Sequence, residues 1–177
     1  MYIDKSILEN VFGEKISHEN FYEHHNQLTL LVEKDELMAT LQELRDNTET
    51  SFDMCLDITA IDWLTKPYRF EVVYILYSNK FKTYLRVKTK ILESHPHCPS
   101  ATGIWESSNW YERETYDMYG IIFDNHPFLR RFYMTDDYKD PETGEPIYPL
   151  RKDFPLMGIP DSLPLPPYPE KYGYIEN

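Results

Sequence analysis

The sequence has 177 residues, a hydrophobic content of 41% and a formal net charge of −12. This length and apolar content suit one domain with a core of ordinary size, and they exclude a disordered chain. No apolar run approaches the roughly 20 residues that span a bilayer, the N-terminus lacks a secretory pattern, and two cysteines make no disulfide framework. We therefore expect a soluble cytoplasmic protein without a direct membrane span.

The negative charge is concentrated at the front of the chain. Residues 1–62 hold 4 Lys/Arg and 14 Asp/Glu, whereas the remaining residues hold 14 and 16. Residues 66–90 carry seven basic groups against the single acid Glu71. Tyr84, Arg86 and Lys88 share one predicted strand face, which is a pattern that can stack bases. The net charge of −12 nevertheless favours protein partners of matching charge over nucleic acid.

The first part of the chain predicts alternating helices and strands. Residues 6–12 predict a short helix, and residues 27–33 predict a strand. Residues 35–46 place Leu residues on one stripe and predict an amphipathic helix, with Asp35 as its N-cap. Residues 52–63 alternate apolar and polar side chains, which is typical of a strand with one wet face; Met54 belongs to its apolar set.

A β-hairpin is predicted next. Residues 69–78 are apolar on both faces, which suits an interior strand, and residues 83–91 alternate in character. Ser, Asn and Lys at positions 78–80 supply turn chemistry between them. The segment 95–99 has prolines on both sides of His97, and we expect it to be irregular.

Residues 107–120 are the most chemically dense stretch of the chain and predict a short helix. Asn109 and Glu112 have the spacing of a capping box, and Gly120 can end the helix in the left-handed conformation. Arg113 precedes Asp117 by four residues and can pair with it. Because charged and aromatic residues occupy every side, this helix is expected to pack against several neighbours at once.

The pattern changes from Asp124 onward. Ten of the 13 prolines lie between Pro127 and Pro169, and periodicity disappears. Such a segment has too little apolar side chain to fold alone, so it is expected to lie extended across a partner. We predict an α+β domain over residues 1–123, a mixed β-sheet with helices packed on one face, and a Pro-rich partner-binding C-terminal arm over residues 124–177.

Residue types alone predict no catalytic, cofactor-binding or metal site. His95, His97 and Cys98 could contribute to a zinc site, but no second segment supplies the remaining ligands. Cys98 or Cys55 could act with His126 as a nucleophile and base, but nothing in the spacing supports the pair. No glycine-rich turn follows a predicted strand, so the sequence contains no loop of the kind that binds the phosphates of a nucleotide.

Two basic pairs lie in proline-rich surroundings. Arg130 and Arg131 follow His-Pro-Phe-Leu, and Arg151 and Lys152 lie between two prolines. Proline restricts the backbone, and the adjacent cations suit carboxylates. These pairs are either solvated basic loops or clamps onto an acidic surface, which can belong to this protein or to a neighbour.

Several of these motifs resemble one known family. They are NWYERE at 109–114, DMYG at 117–120, HP and LRR at 126–131, and PLRKDFPL at 149–156. In this order they resemble the C subunit of respiratory NADH:quinone oxidoreductase (complex I), the 30-kDa-subunit family, over residues 52–158. The chain departs from the family's pattern in three places. Phe128 stands where an acid usually follows His-Pro, Tyr148 stands where a histidine commonly precedes the second basic pair, and the loop at 136–147 is longer than is typical.

The resemblance implies a non-catalytic structural and assembly subunit in the peripheral arm of a proton-translocating NADH:quinone oxidoreductase, on the cytoplasmic side of the inner membrane. The complex would carry FMN, iron–sulfur clusters and quinone, with none bound by this chain. Its neighbours would be the quinone-pocket subunit and a cluster-bearing subunit.

Two alternatives to this interpretation stay open. One is the equivalent subunit of a membrane-bound hydrogenase or of an oxidoreductase with another electron donor. The other is a free-standing hydrolase that uses His126 or Cys98. The resemblance gives thirteen candidate partner-interface residues: Trp110, Tyr111, Glu112, Arg113, Glu114, Asp117, His126, Arg130, Arg131, Arg151, Lys152, Asp153 and Phe154.

Overall fold

The computed structural model describes residues 5–13, 20–25, 27–140 and 143–154. A five-stranded sheet has the order β1-β2-β5-β4-β3, and a separate pair joins β6 to β7. The strands are β1 (Phe21–His24), β2 (Gln27–Leu31), β3 (Met54–Asp62), β4 (Phe70–Ser78), β5 (Thr83–Ile91), β6 (His97–Pro99) and β7 (Ile122–Asp124). The helices of the described residues are α1 (Lys5–Phe12), α2 (Leu37–Asp46) and α3 (Ser108–Tyr119).

The five-stranded sheet is mixed, which confirms the predicted α+β class. β2 runs parallel to β5, whereas the other neighbouring strands are antiparallel. β4 and β5 form the predicted hairpin, with Ser78 opposite Thr83. β4 lies between β5 and β3, which explains why apolar side chains occupy both of its faces.

The core lies between the sheet and the apolar stripes of the helices. Leu37, Leu41 and Leu44 of α2 are fully buried with Leu8 of α1 and Tyr74 of β4. Burial of one large apolar side chain typically stabilises a fold by about 1.5–3 kcal/mol, so this stripe fixes the position of α2.

Asp35 is not the N-cap of α2, contrary to the prediction. It lies in a short 3-10 turn, Lys34–Glu36, and the helix begins after that turn at Leu37. The residue at the cap position, Glu36, makes no side-chain cap hydrogen bond. The tightened turn leads directly into the helix, so the chain enters α2 without the predicted side-chain cap.

The alternation predicted for β3 is correct only in its second half. A β-bulge lies between Cys55 and Asp57. As a result Cys55 is buried, whereas Met54, predicted on the apolar face, is 41% exposed. Ile58 and Ala60, beyond the bulge, face the core as predicted. One extra residue in a strand reverses the faces of everything before it.

The segment around His97 is a short strand and not irregular, which corrects the prediction. β6 pairs in parallel with β7, and His97 lies opposite Ile122. The Ile122 N–H donates to the Pro96 carbonyl, and the Ser100 N–H donates to the Asp124 carbonyl. Prolines are tolerated at the ends of such a two-stranded pair because their missing N–H groups are not needed for its ladder.

Helix α3 packs against β3, an edge strand of the sheet. The Thr115 hydroxyl donates to the Ile58 carbonyl at 2.6 Å, and the Ser107 hydroxyl donates to the Cys55 carbonyl at 3.0 Å. Carbonyls on an edge strand have no neighbouring strand to bond, so the helix supplies their donors. The sheet edge thus determines where α3 lies.

Both ends of α3 lie where the predicted helix over residues 107–120 has them, and Ser107 occupies the N-cap position, although its side chain makes no cap hydrogen bond. Gly120 ends the helix with φ 74°, and its N–H donates to the Tyr116 carbonyl at 2.8 Å, as predicted. The Asn109–Glu112 capping box is wrong, because the helix begins at Ser108 and Asn109 is already inside it.

We predict that Gly120→Ala destabilises the protein strongly. A Cβ at this position would lie 2.5 Å from the Tyr148 ring and 2.7 Å from the Arg151 guanidinium, at a φ that L-residues rarely adopt. Strain and overpacking together should lower the free energy of unfolding in urea by about 2–4 kcal/mol. Gly103→Ala is the matched control, since nothing lies within 4 Å of its Cβ position. Equal effects of the two substitutions would contradict this packing.

Candidate functional site

Glu112 faces inward from α3 and is completely buried. One carboxylate oxygen accepts the Ala101 N–H at 2.6 Å, and the other accepts the Ser100 hydroxyl at 2.7 Å. Burial raises the pKa of Glu112 to about 7, although both donors favour the charged form. Glu112 therefore binds the turn after β6 to the helix.

The Arg113 side chain lies among aromatic rings. Its guanidinium carbon is 4.8 Å from the Trp110 ring centroid, 4.7 Å from that of Phe132 and 5.8 Å from that of Phe128. Its Nε donates to the Arg130 carbonyl at 3.3 Å. Arg113 thus connects α3 to the loop that carries the first basic pair.

Asp117 is completely buried near the end of α3. One oxygen accepts three backbone N–H groups, from residues 132–134, at 2.8–3.1 Å. Arg131 places its Nε 3.6 Å from the other oxygen. The predicted pairing of Asp117 with Arg113 is therefore wrong, because the loop and Arg131 engage the carboxylate, whereas the Arg113 side chain lies among the aromatic rings.

The two members of the first basic pair have different environments. Arg131 is nearly buried, and it donates to the Tyr138 carbonyl at 3.4 Å and to the Ile147 carbonyl at 3.0 Å. It therefore braces the two ends of the loop between these residues. Arg130 is exposed, with its guanidinium 4.0 Å from the Phe128 ring centroid.

The second basic pair closes onto the end of α3. Arg151 donates from Nε to the Tyr119 carbonyl at 2.7 Å. Its guanidinium carbon lies 4.3 Å from the Tyr148 ring centroid and 5.1 Å from that of Phe70. The Lys152 backbone N–H donates to the Asp62 carboxylate at 2.9 Å, whereas the Lys152 side chain is exposed.

A buried ion pair at Arg69 holds this segment in place. Arg69 binds both oxygens of Asp62, at 3.0 and 2.9 Å, and also contacts the carboxylates of Glu93 and Asp153. Burial opposes ionisation of Asp62, but the donors from Arg69 and from backbone N–H groups outweigh it and hold the pKa at about 2. Hydrogen bonding to Asp62 raises the pKa of Arg69.

Sequence patterns did not predict this centre. Asp62 and Arg69 entered only as parts of strand patterns, and a polar residue at a strand end carries no signal of its partner. Tyr148 and Phe128, the two single-residue departures from the family's pattern, each place an aromatic ring beside an arginine.

The structure does not support the nucleophile–base alternative. Cys98 is fully buried, and burial raises the pKa of its thiol to about 12. Its sulfur lies 3.4 Å from the Tyr74 hydroxyl. His126 Nε2 lies 3.2 Å from the Asn109 carbonyl, and its Nδ1 accepts the Phe128 N–H at 3.0 Å. Both groups are engaged in the fold, and a protonated thiol is a poor nucleophile.

The histidines near β6 are also engaged within the chain. His97 Nδ1 lies 2.7 Å from an Asp124 carboxylate oxygen, and the His95 ring stacks on His97 at 4.2 Å. Among residues 5–13, 20–25, 27–140 and 143–154, no group of three or more His, Cys, Asp or Glu side chains could hold a metal ion.

Several of the seven basic side chains of residues 66–90, called here the basic ribbon, bind groups of this chain itself. Lys88 pairs with the buried carboxylate of Glu71 at 3.3 Å, and Lys80 donates to the Thr48 carbonyl. Arg86 and Tyr84 line an open cleft of about 330 Å³ between β2 and β5. This ribbon is therefore not one continuous surface of unpaired cations.

The thirteen candidate residues converge on α3 but differ in exposure. Trp110, Arg130, Lys152 and Asp153 are exposed, whereas Tyr111, Glu114, His126 and Phe154 are half-buried. The remaining buried or half-buried members are held by the internal contacts described above. Residues 126–140 and 143–154 are joined to the predicted domain by the contacts of His126, Arg131 and Arg151, and positions 141–142 and 155–177 of the predicted arm fall outside the described residues.

Comparison with known proteins identifies the family. Residues 30–160 match the family model described as "Respiratory-chain NADH dehydrogenase, 30 Kd subunit". The chain belongs to this family. The C subunit of the NADH-quinone oxidoreductase of Geotalea uraniireducens (strain Rf4) is 42% identical over 142 residues, which cover 80% of each chain.

Solved structures show the same fold for this member of the 30 Kd subunit family. A trypsin-resistant fragment (1-134) of Nqo5 has a TM-score of 0.59 at 27% identity, over 71% of this chain and 98% of the fragment. A chain from the membrane-bound sulfane sulfur reductase, an archaeal respiratory membrane complex, has a TM-score of 0.69 at 27% identity, over 86% of both chains. No helix in the described part of this chain has the length and apolarity needed to cross a bilayer.

We predict that Asp117→Asn loosens the loop at residues 132–134. The amide keeps the shape but loses the negative charge that three N–H groups and Arg131 require. The free energy of unfolding should fall by about 2–4 kcal/mol, and amide exchange of those three residues should accelerate. Asp136→Asn, at an exposed carboxylate, should change stability by less than about 0.5 kcal/mol. Unchanged exchange in the Asp117 variant would disprove the role.

A second prediction concerns the pH dependence of stability. The folded-state pKa of Glu112 lies above its ordinary value of 4.5, so its contribution to stability is complete below pH 4.5 and is lost as the pH rises through about 7. Replacing it by Gln removes this titration. The stability difference between wild type and Glu112→Gln should shift by roughly 3 kcal/mol, in favour of the variant, between about pH 4 and 8.

Chemical unfolding at several pH values measures this shift. Glu114→Gln is the control on the same helix, because Glu114 is only half-buried. A difference between wild type and Glu112→Gln that stays constant with pH would show that Glu112 titrates normally.

Proposed function

We propose that this chain is a non-catalytic structural and assembly subunit in the peripheral arm of a proton-translocating NADH:quinone oxidoreductase. The observation that supports this role is the use of its buried carboxylates. Glu112, Asp117 and Asp62 each bind donors of the chain itself, and each joins a loop to a helix or strand. These contacts determine shape and leave none of the three poised as a general acid or base open to a substrate.

We further propose that the neighbours are the quinone-pocket subunit and a cluster-bearing subunit, on the cytoplasmic side of the inner membrane. FMN, iron–sulfur clusters and quinone would be held by those other subunits. Four of the candidates are exposed and would contact a neighbouring subunit: Trp110, Arg130, Lys152 and Asp153. The buried candidates would hold the helix and loops that carry these four residues in position.

We keep the proposed domain over residues 1–123 but divide the predicted arm over 124–177 into two parts with different roles. Arg131 and Arg151 bind this chain's own groups, so residues 124–140 and 143–154 serve as a brace on α3. The partner-binding role of the arm is proposed for the residues that follow.

A related complex with another electron donor is the second candidate. The likeness to a chain of a sulfane sulfur reductase complex supports it. The relatives named as C subunits of NADH-quinone oxidoreductase, at 42% identity in one case, favour NADH as the donor.

We predict that a tagged full-length chain co-purifies with subunits that oxidise NADH and reduce quinone. Mass spectrometry of the native complex would identify them, and NADH:quinone activity should be lost together with the assembled complex when the chain is absent. The chain purified alone should show neither a flavin band nor stoichiometric iron. A bound flavin or cluster in the free chain, or a native complex with no NADH-oxidising subunit, would contradict the proposal.

A further inference from the structure

Four exposed aromatic rings and the exposed guanidinium group of Arg130 lie together beside α3. We propose that this surface, called here the Trp110 surface, docks an acidic segment of a neighbouring subunit that places an apolar side chain next to a carboxylate. The inference rests on the proposed function and adds the chemistry of the partner. The Trp110 surface consists of Trp110, Phe128, Arg130, Phe132 and Tyr133, and the buried side chain of Arg113 lies among its rings.

The rings are exposed to an unusual degree for side chains of their size. Trp110 is 58% exposed, Phe128 52%, Phe132 36% and Tyr133 60%. Three of them are contiguous, since Trp110 meets Phe132 edge-on with ring centroids 5.8 Å apart and the Phe132 centroid lies 4.1 Å from that of Tyr133. Phe128 is connected to them through Arg113, whose guanidinium carbon lies 5.8 Å from the Phe128 ring centroid and 4.7 Å from that of Phe132. Scattered exposed apolar residues are ordinary, but a connected aromatic patch indicates a surface that another molecule covers.

The backbone under these rings is fixed. The N–H groups of residues 132–134 all donate to the buried Asp117 carboxylate. His126 accepts the Phe128 N–H and lies within hydrogen-bond distance of the Asn109 carbonyl on α3. A preorganised surface loses little conformational entropy on binding, which is the property that favours tight docking.

The charge of the surface selects the partner. Within the described residues, Arg69 and Arg131 each have a carboxylate partner, whereas Arg113 and Arg130 have none. Both instead stack on rings, Arg113 at 4.7 Å from Phe132 and Arg130 at 4.0 Å from Phe128. Stacking satisfies the flat face of a guanidinium and leaves its in-plane N–H donors for other groups. Arg113 is only 5% exposed and donates from Nε to the Arg130 carbonyl, so it supports the rings, whereas the exposed Arg130 can bind a carboxylate of a partner.

A protein segment fits this surface better than a membrane or a nucleic acid. Phosphate backbones and anionic membranes are bound through clusters of several cations, whereas this surface offers one exposed guanidinium group among four aromatic rings. That combination matches a carboxylate with an apolar anchor beside it. Trp, Tyr and Arg are also the residues most enriched at the centres of protein interfaces.

The test is reconstitution of the native complex. Complex stripped of this subunit is titrated with purified full-length chain, and NADH:quinone activity reports binding. Trp110→Ala should weaken binding at least about 10-fold, because an exposed anchor is lost. Arg130→Glu should weaken binding at least as much. Added salt should weaken binding of the wild-type chain, because it screens an attraction, and should strengthen binding of Arg130→Glu, because it screens a repulsion. Arg130→Lys should fall between Arg130→Glu and wild type, because it keeps the charge but loses the planar stack.

Two controls match these substitutions in exposure and chemistry. Tyr84→Ala removes a ring that is 61% exposed on β5, and Lys90→Glu reverses an exposed charge on the same strand. Both should bind within about 2-fold of wild type. Thermal unfolding of each free variant checks that the fold is retained, and Arg130→Glu alters an exposed side chain that the core does not need.

The remaining outcomes separate the two proposals. Wild-type binding by both Trp110→Ala and Arg130→Glu would overturn the docking surface, while rebinding of the wild-type chain would still support the subunit role. Failure of the wild-type chain to rejoin the complex would overturn both. Binding of the free chain to phosphatidylserine vesicles that Trp110→Ala abolishes would identify a lipid occupant and overturn the acidic segment.

Discussion

The buried carboxylate of Asp117 is the interaction on which the rest of this region depends. It lies near the C-terminal end of α3, where the helix dipole disfavours a negative charge. Three backbone N–H groups and the nearby Arg131 offset that penalty, and together they fix the loop at residues 132–134. The Asp117 carboxylate thus fixes the backbone of residues 132–134, and that backbone sets the positions of the Phe132 and Tyr133 rings.

A positively charged side chain also lies at the C-terminal end of α3. Arg151 donates to the Tyr119 carbonyl, so a cation meets the negative end of the dipole where it is stabilising. The buried pair of Asp62 and Arg69 then connects this brace to the ends of β3 and β4. Sheet, helix and proline-rich segment are therefore joined through charges that each have an internal partner.

Elements with a local signal could be predicted from the sequence. The β4–β5 hairpin and the Gly120 cap follow from alternation and from one residue's backbone freedom. The bulge at Cys55 could not be predicted, because periodicity does not reveal an extra residue. Partners distant in sequence were equally inaccessible, since Glu112 binds the N–H of Ala101 and Lys152 donates to Asp62, 90 positions away. Family motifs located the region but did not show which members face inward.

The parallel contact between β2 and β5 also constrains synthesis and folding. Leu30 pairs with Val87, so the front of the chain leaves the ribosome well before its neighbour in the sheet exists. The β4–β5 hairpin closes locally, whereas β2 needs a long crossover and must wait. During that interval β2 is an unpaired strand edge, the kind of surface that aggregates. Residues 1–62, in which β2 lies, carry 14 acidic against 4 basic side chains, and like charges of this kind oppose association between strand edges of different chains.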